Sequence, residues 1–316
     1  MFLHRKFVCG LFYLRKALAR GGIMKFTKMH GCGNDYIYFD CTEEEFPGGP
    51  EGERRAAIRL SDRHFGVGGD GIILIKKGKT ADFEMVMYNA DGSRSQMCGN
   101  GIRCVGKYLY DAGKTLGKEF TVESMGAVKK LTVVEGERKD KITKLSVDMG
   151  KPILEAEKIP VDFSQSSIDS TSRVINHPLA IDGTEYKITC VSMGNPHAVV
   201  FIDKKADDSL VLEKGPLFEN NSFFPERTNT EFAYVEDRQT IWMRVWERGT
   251  GETLACGTGT CATVVAAILN GLVDAGKKIT VHLLGGDLEI EWSGKEDDSV
   301  FMTGPAETVF TGDVEL

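Results

Sequence analysis

The sequence predicts an α/β (α+β) fold made of two similar halves, each with β-strands around one central helix. Three observations predict it. Residues 97–104 read Met-Cys-Gly-Asn-Gly-Ile-Arg-Cys and residues 255–261 read Ala-Cys-Gly-Thr-Gly-Thr-Cys, so a cysteine and a Gly-x-Gly turn stand twice at the mouth of a helical run. Each run closes on a glycine, Gly113 and Gly271, the residue type that most often ends a helix. The order also repeats: Gly33-Asn34 and Gly194-Asn195 each precede an apolar strand at an offset of 161, and Cys98 and Cys256 stand 158 apart. Asn229 is a looser counterpart of Asn89. A twofold-like arrangement would bring both helix N-termini to the boundary between the halves, where ligand sites favour lying.

Taken in order, residues 24–40 begin with polar-apolar alternation, turn at His30-Gly31-Cys32-Gly33-Asn34-Asp35 and continue as a strand over 36–39. Residues 41–52 read as an acidic, glycine-rich loop and 54–62 as a helix. Residues 66–71 have dinucleotide-fingerprint spacing, but a helix precedes them and a strand (72–75) follows. That reverses the required order, so they read as a turn. Gly78-Lys79-Thr80 lacks the upstream glycine of a phosphate loop. A strand over 83–88 leads through the turn Asn89-Ala90-Asp91-Gly92 to Cys98. The first cysteine-led helix has Ile102, Val105 and Leu109 on one face; the second is apolar nearly all round, as a buried helix is. Strands are expected at 119–123, 130–134, 144–148, 188–193, 198–202, 232–235 and 241–246. A hairpin over 279–292 turns at Gly285-Gly286, and 300–316 is a last extended segment.

The chain has 316 residues, 41% hydrophobic and 27% charged, an ordinary globular composition. Its formal charge of −7 argues against nucleic acid or an anionic membrane as partner, and no apolar run nears the roughly 20 residues that span a bilayer. Residues 1–23 differ, with five basic and no acidic residues; the remainder then holds 34 basic against 46 acidic ones, a net of −12. Arg15 and Lys16 interrupt the apolar run at 7–14, so this stretch is expected to be an extension outside the fold, with Met24 as the start of the functional chain. The eight cysteines (9, 32, 41, 98, 104, 190, 256 and 261) include no Cys-x-x-Cys pair. A four-thiolate metal site from 98, 104, 256 and 261 is one alternative. The glycines directly after Cys98 and Cys256 point instead to a close backbone approach to a ligand. Reduced thiols in a cytoplasm, no metal and no cofactor are the expectation.

Cys98 and Cys256 each precede a helix N-terminus, where free N–H groups and the helix dipole favour an anion and are expected to make a thiol more acidic. Two such thiols facing one substrate suit a symmetric reaction: one takes a proton from one face of a carbon, the other returns it to the opposite face. The N–H groups of both turns would grip the α-carboxylate and stabilise the carbanion-like state. Cys104 and Cys261 fall further into the helices and read as core. Cys32 and Cys190 have no supporting constellation. His30 and His197 lie in turns, where a site and a structural role are both open. Asn34 and Asn195 can simply supply turn geometry. Arg248, close to Cys256, is a candidate carboxylate holder.

The stretches 29–35 (Met-His-Gly-Cys-Gly-Asn-Asp), 89–93 (Asn-Ala-Asp-Gly-Ser), 98–104, 192–197 (Ser-Met-Gly-Asn-Pro-His) and 247–259 together resemble the diaminopimelate epimerase family, in family order from Met24 to the C-terminus. The resemblance implies two pseudo-symmetric domains, each a mostly antiparallel or mixed sheet wrapped around a central helix. The expected division is 24–146 plus 300–316 and 147–299. It also implies a pyridoxal-independent enzyme, a homodimer, that interconverts LL- and meso-2,6-diaminopimelate in lysine and peptidoglycan precursor synthesis. By motif, Cys98 and Cys256 would be the acid/base pair, supported by His197 and Glu247. Gly99, Asn100, Gly257 and Thr258 would bind the carboxylate at the reacting centre. Asn34, Asn89, Asn195, Asn229, Glu247 and Arg248 would complete the substrate site. Many relatives carry glutamine where this chain has Gly71, a departure that puts that contact in question. A racemase of another amino acid on the same fold, or a thiol redox or binding protein, is the alternative reading.

Overall fold

The computed structural model describes residues 22–95, 97–134, 142–162 and 172–316; the apolar run at 7–14 and Cys9 lie outside them. The N-terminal half contains β1 (Ile23–Gly31), β2 (Asn34–Cys41), helix α1 (Gly49–Ser61), β3 (Gly71–Lys77), β4 (Phe83–Asn89) and β5 (Arg94–Ser95). Helix α2 (Gly99–Asp111), β6 (Glu119–Ser124), β7 (Ala127–Val134) and β8 (Lys144–Gly150) complete it. The C-terminal half contains β9 (His177–Ile181), β10 (Thr184–Ser192), β11 (Pro196–Phe201), the short helix α3 (Gly215–Glu219), β12 (Asn229–Asp237) and β13 (Thr240–Glu247). It continues with β14 (Gly251–Thr253), helix α4 (Gly257–Leu269), β15 (Lys278–Leu283) and β16 (Gly286–Glu291). The expected final extended segment is two strands, β17 (Val300–Pro305) and β18 (Glu307–Glu315). Among the described residues no helix is long and apolar enough to cross a membrane.

The strand pairing repeats from half to half. In the first, β2 and β3 run parallel, as do β4 and β6; in the second, the parallel pairs are β11 with β12 and β13 with β15. Parallel neighbours cannot be joined by a tight turn and need a crossover. The second crossover of each half is the cysteine-led helix, α2 or α4. β17 pairs with β8 on one side and β16 on the other, so the hydrogen-bonded ladder passes from one half to the next. We propose that the domain division at 146/147 and 299/300 leaves this seam strand with the N-terminal domain.

Each half has a layered core. Tyr36, Tyr38, Ile73, Ile75, Met85 and Met87 face inward with Ile102, Val105 and Leu109 of α2, in one apolar cluster that also takes in α4. Alternate residues of the same strands, Ile37, Phe39, Ile72, Leu74 and Val86, pack outward against Ala56, Ala57 and Leu60 of α1. Strands buried on both faces explain why these segments read as continuous apolar runs. In the second half Val191 and Val199 face α4, while Ile188, Cys190, Ala198 and Val200 face an outer cluster with Phe218 and Phe224.

Two expectations need correction. Helix α1 starts at Gly49, not in the fifties: Pro50 sits in its first turn and Gly48, at φ 78°, begins it from a left-handed conformation. Asn89 and Asn229 are not counterparts. Tyr36 and Asn89 both pair with Gly71, while His197 pairs with Asn229 and Thr230 faces Trp246. Asn229 therefore occupies the place of Gly71, and Glu247, one residue beyond Trp246, occupies that of Asn89. Matching residue type misled where the strand register decides.

Candidate active site

Cys98 and Cys256 are the N-cap residues of α2 and α4, both in extended conformation, and each sulfur accepts the N–H of the second turn glycine. Those bonds are 3.3 Å from Gly101 and 3.4 Å from Gly259. The two helix N-termini abut. A Cβ on Gly99 would lie 3.7 Å from the Gly257 Cα, and one on Gly257 3.5 Å from the Gly99 Cα, with Met302 at 3.0 and 3.1 Å from the same two points. A methyl group at either position would already touch the facing glycine and press on the Met302 side chain, so little room is left for anything larger. Asn100 spans the junction: its Nδ2 donates to the carbonyl of Ala255 at 3.0 Å and its Oδ1 accepts from the buried Arg103 at 2.9 Å. Two positive helix ends at close quarters repel each other unless an anion sits between them. The first N–H groups of each helix have no carbonyl partner within the helix; they turn toward the cysteine sulfur, as those of Gly101 and Gly259 do, or toward that anion.

The thiols themselves run against expectation. Burial pushes Cys98 above the ordinary thiol range, and the N–H groups of Gly101 and Asn100 with the charge of Arg103 offset it only in part. Cys256 is pushed up further, first by burial and then by the carboxylates of Glu247 and Glu231, against the pull of Thr258 and the Gly259 N–H. The helix-terminus effect has the predicted sign, but desolvation is larger. Glu247 is itself raised by burial; it hydrogen-bonds the Cys256 thiol and accepts from Thr253 Oγ1 at 2.5 Å.

Around Cys98, the thiol donates to Asn34 Oδ1 at 2.9 Å, and Asn34 Nδ2 is held by Asp70 at 2.6 Å. Asn34 thus touches the sulfur directly. In the other half Asn195 Oδ1 meets His197 Nε2 at 3.1 Å, and His197 Nδ1 bonds Glu231 Oε1 at 2.6 Å with both side chains fully buried. Tyr36, two residues after Asn34, is the counterpart of His197; burial and the neighbouring Cys98 raise its hydroxyl. Asn229 Oδ1 accepts the Arg248 N–H at 2.9 Å, which fixes the turn carrying that arginine. The Arg248 guanidinium bonds the Glu226 carbonyl at 3.0 Å and has no carboxylate partner among the described residues. Asn89 Nδ2 bonds Ser93 Oγ at 3.0 Å, and Thr258 Oγ1 lies 3.5 Å from Cys256 Sγ. At position 71 any side chain would collide with the Tyr88 carbonyl, so glutamine is not accommodated in this backbone. Cys104 and Cys261 are fully buried core residues held up to about 12. A separate surface cavity of about 340 Å³ beside Trp292 and Asp298 contains none of these groups.

Sequence reasoning missed Glu231 and Arg103. Both are fully buried, and an acid directly before the apolar run at 232–235 was the available signal for the first.

A family profile described as diaminopimelate epimerase matches residues 26–155 and 189–309. A protein of Agathobacter rectalis named diaminopimelate epimerase is 53% identical over 93% of this chain and 100% of its own. The chain belongs to the diaminopimelate epimerase family. Another protein of that name, from Acetivibrio thermocellus, is 52% identical over 93% of this chain and 99% of its own. Among solved structures, a hydroxyproline epimerase from Agrobacterium vitis shares the fold at a TM-score of 0.66 and 14% identity, with 93% of each chain covered. That likeness is one of fold, the two-domain α+β architecture.

Proposed function

We propose that this chain is a diaminopimelate epimerase that moves the α-proton between two opposed thiols, with no cofactor or metal in the proton transfer. The observation that carries the reading is the pair of cysteine N-caps on two abutting helix N-termini, in a chain half identical over nearly its full length to proteins of that name. The α-carboxylate lies against the N–H groups of Gly99, Asn100, Gly257 and Thr258. One sulfur, as thiolate, takes the α-proton; the C–H electron pair moves into the carboxylate-stabilised carbanion; the opposite thiol donates its proton to the other face. Burial keeps both thiols protonated in the free protein, so ionisation of the base depends on the substrate. Its cationic α-ammonium, brought beside a sulfur, favours the thiolate.

The Arg248 guanidinium takes the distal carboxylate, with Asn34, Asn89, Asn195, Asn229 and Glu247 completing the site and His197 supporting the thiols. A homodimer follows as a further proposal, supported by the edge strand β18, which among the described residues pairs with β1 alone and exposes Val309 and Phe310; a cytoplasmic location is proposed from the free cysteines. Light scattering reads the oligomeric state. The function is tested with LL-diaminopimelate in D2O under reducing conditions without pyridoxal phosphate. Product with deuterium at the inverted carbon, while recovered substrate stays unlabelled early in the reaction, is expected. Absence of inversion sinks the reading, and inversion of simple amino acids instead moves the chain to a racemase.

A further inference from the structure

The repeated halves provide an internal control for the surroundings of each sulfur. A Cβ placed on Gly101 would lie 2.8 Å from Ile73 Cδ1 and 3.7 Å from Cys98 Sγ; one placed on Gly259 would lie 2.5 Å from Glu231 Oε1 and 3.3 Å from Cys256 Sγ. Ile73 follows Gly71 by two residues in β3 just as Glu231 follows Asn229 by two in β12, and those two positions are register counterparts. The same turn therefore has a methyl group beside it in one half and a carboxylate in the other, and that carboxylate acts on the Cys256 sulfur.

That carboxylate is fully buried. Its Oε1 is bonded to His197 Nδ1, and its Oε2 has no hydrogen-bond partner among the described residues. A half-satisfied buried acid is costly to keep, and an aliphatic residue fills the equivalent place in the other half without penalty. Its retention points to a task.

The groups facing each sulfur differ in sign. Cys256 meets Glu231 from β12, Glu247 from β13, and Thr258 with the Gly259 N–H from α4; His197 of β11 is tied to Glu231. Cys98 meets the Asn34 amide from β2, the Asn100 and Gly101 N–H groups and the Arg103 cation from α2, with Glu247 as the acidic neighbour. Arg103 has no counterpart cation, since Cys261 lies 158 residues on from it.

We propose that Glu231 is a positioning residue that fixes His197 and keeps the Cys256 sulfur protonated in the ligand-free protein, which leaves Cys98 the more readily ionised of the two thiols. The inference rests on the two-thiol reading of the site, but its test needs no substrate. The equilibrium between the isomers fixes the ratio of kcat/KM in the two directions, so the asymmetry has to be read from the thiols and from pH profiles.

The experiment is iodoacetamide alkylation of the full chain between pH 7 and 11, with peptide mapping to follow Cys98 and Cys256 separately. The pH of half-maximal rate is independent of how accessible each sulfur is. Cys98 is expected to have the lower midpoint. Glu231→Gln, with its fold checked by circular dichroism, is expected to lower the Cys256 midpoint by about one unit, roughly a tenfold faster reaction at a fixed lower pH, and to leave Cys98 unmoved. The same variant is expected to shift one limb of the kcat/KM pH profile, which loss of packing alone does not do. Equal midpoints in the unaltered protein, or a Glu231→Gln change that moves both thiols alike or neither, overturn the proposal. A protein with unequal thiols but no epimerase activity leaves the asymmetry standing and removes the functional reading instead.

Discussion

Replacing Asn100 with alanine removes two hydrogen bonds from a place where little water can replace them. Asn100 is 2% exposed and Arg103 is fully buried. The substitution strands the Ala255 carbonyl and one Arg103 N–H, each of which had Asn100 as its partner at 3.0 or 2.9 Å. A buried polar group left unpaired costs about 1–3 kcal/mol, so the two together give about 2–6 kcal/mol. That is a large part of an ordinary folding free energy of about 5–15 kcal/mol, and corresponds to a melting temperature lower by roughly 3–10 °C. Because Ala255 precedes Cys256, the loss also loosens the second sulfur relative to the first, so kcat should fall by more than KM changes. Asn100→Asp separates the two bonds. It offers Arg103 a carboxylate but sets an oxygen against the Ala255 carbonyl, so stability should recover in part while kcat stays low. Thermal melts and steady-state kinetics on the three proteins decide it. An Asn100→Ala protein that melts within a degree of the parent, with unchanged kcat, would show that this side chain does not join the halves.

Arg248→Ala should lower kcat/KM for diaminopimelate by about tenfold to a hundredfold, the effect of losing about 1.5–3 kcal/mol of charged hydrogen bonding, without lowering the melting temperature; a loss of stability instead would mean that its bond to the Glu226 carbonyl matters more. Stability should decline on the alkaline side. Cys98, Cys104, Cys190, Cys256 and Cys261 are all raised in the folded protein, so between the unfolded thiol value near 9 and their folded values the native state holds more protons. Folding free energy from these groups is complete below about pH 9 and is lost as pH rises beyond it; urea melts at pH 8 and pH 10.5 read the difference, and equal stabilities contradict the burial account. Peroxide should inactivate the protein by joining Cys98 and Cys256 in a disulfide, two thiols and one peroxide giving the bond and two waters, with dithiothreitol restoring activity. Activity that survives peroxide would mean that the sulfurs do not face each other.

The parts of the fold legible in the sequence were those set by local rules. The Gly-x-Gly turns and closing glycines placed both central helices, and α4 read as buried because its run over 262–269 is apolar nearly all round, with no charged residue. The parts that stayed hidden depend on what lies across the sheet. Glu231 is one polar letter after Asn229 and Thr230, and only alignment at the 158-residue offset sets it beside Ile73. Asn89 and Asn229 were paired by residue type, whereas ladder register pairs Asn229 with Gly71. Thiol acidity was argued from the helix ends, which are local, and decided by burial, which is not. Gly71 was legible as a departure, but the Tyr88 carbonyl that excludes a side chain there belongs to the neighbouring strand.

The account stands on two sulfurs serving opposite faces of one carbon, and the direct test is the epimerase assay of Cys98→Ala and Cys256→Ala, each confirmed folded by circular dichroism. Each single variant is expected to lose epimerisation of LL-diaminopimelate in both directions. Full activity in either one contradicts the account.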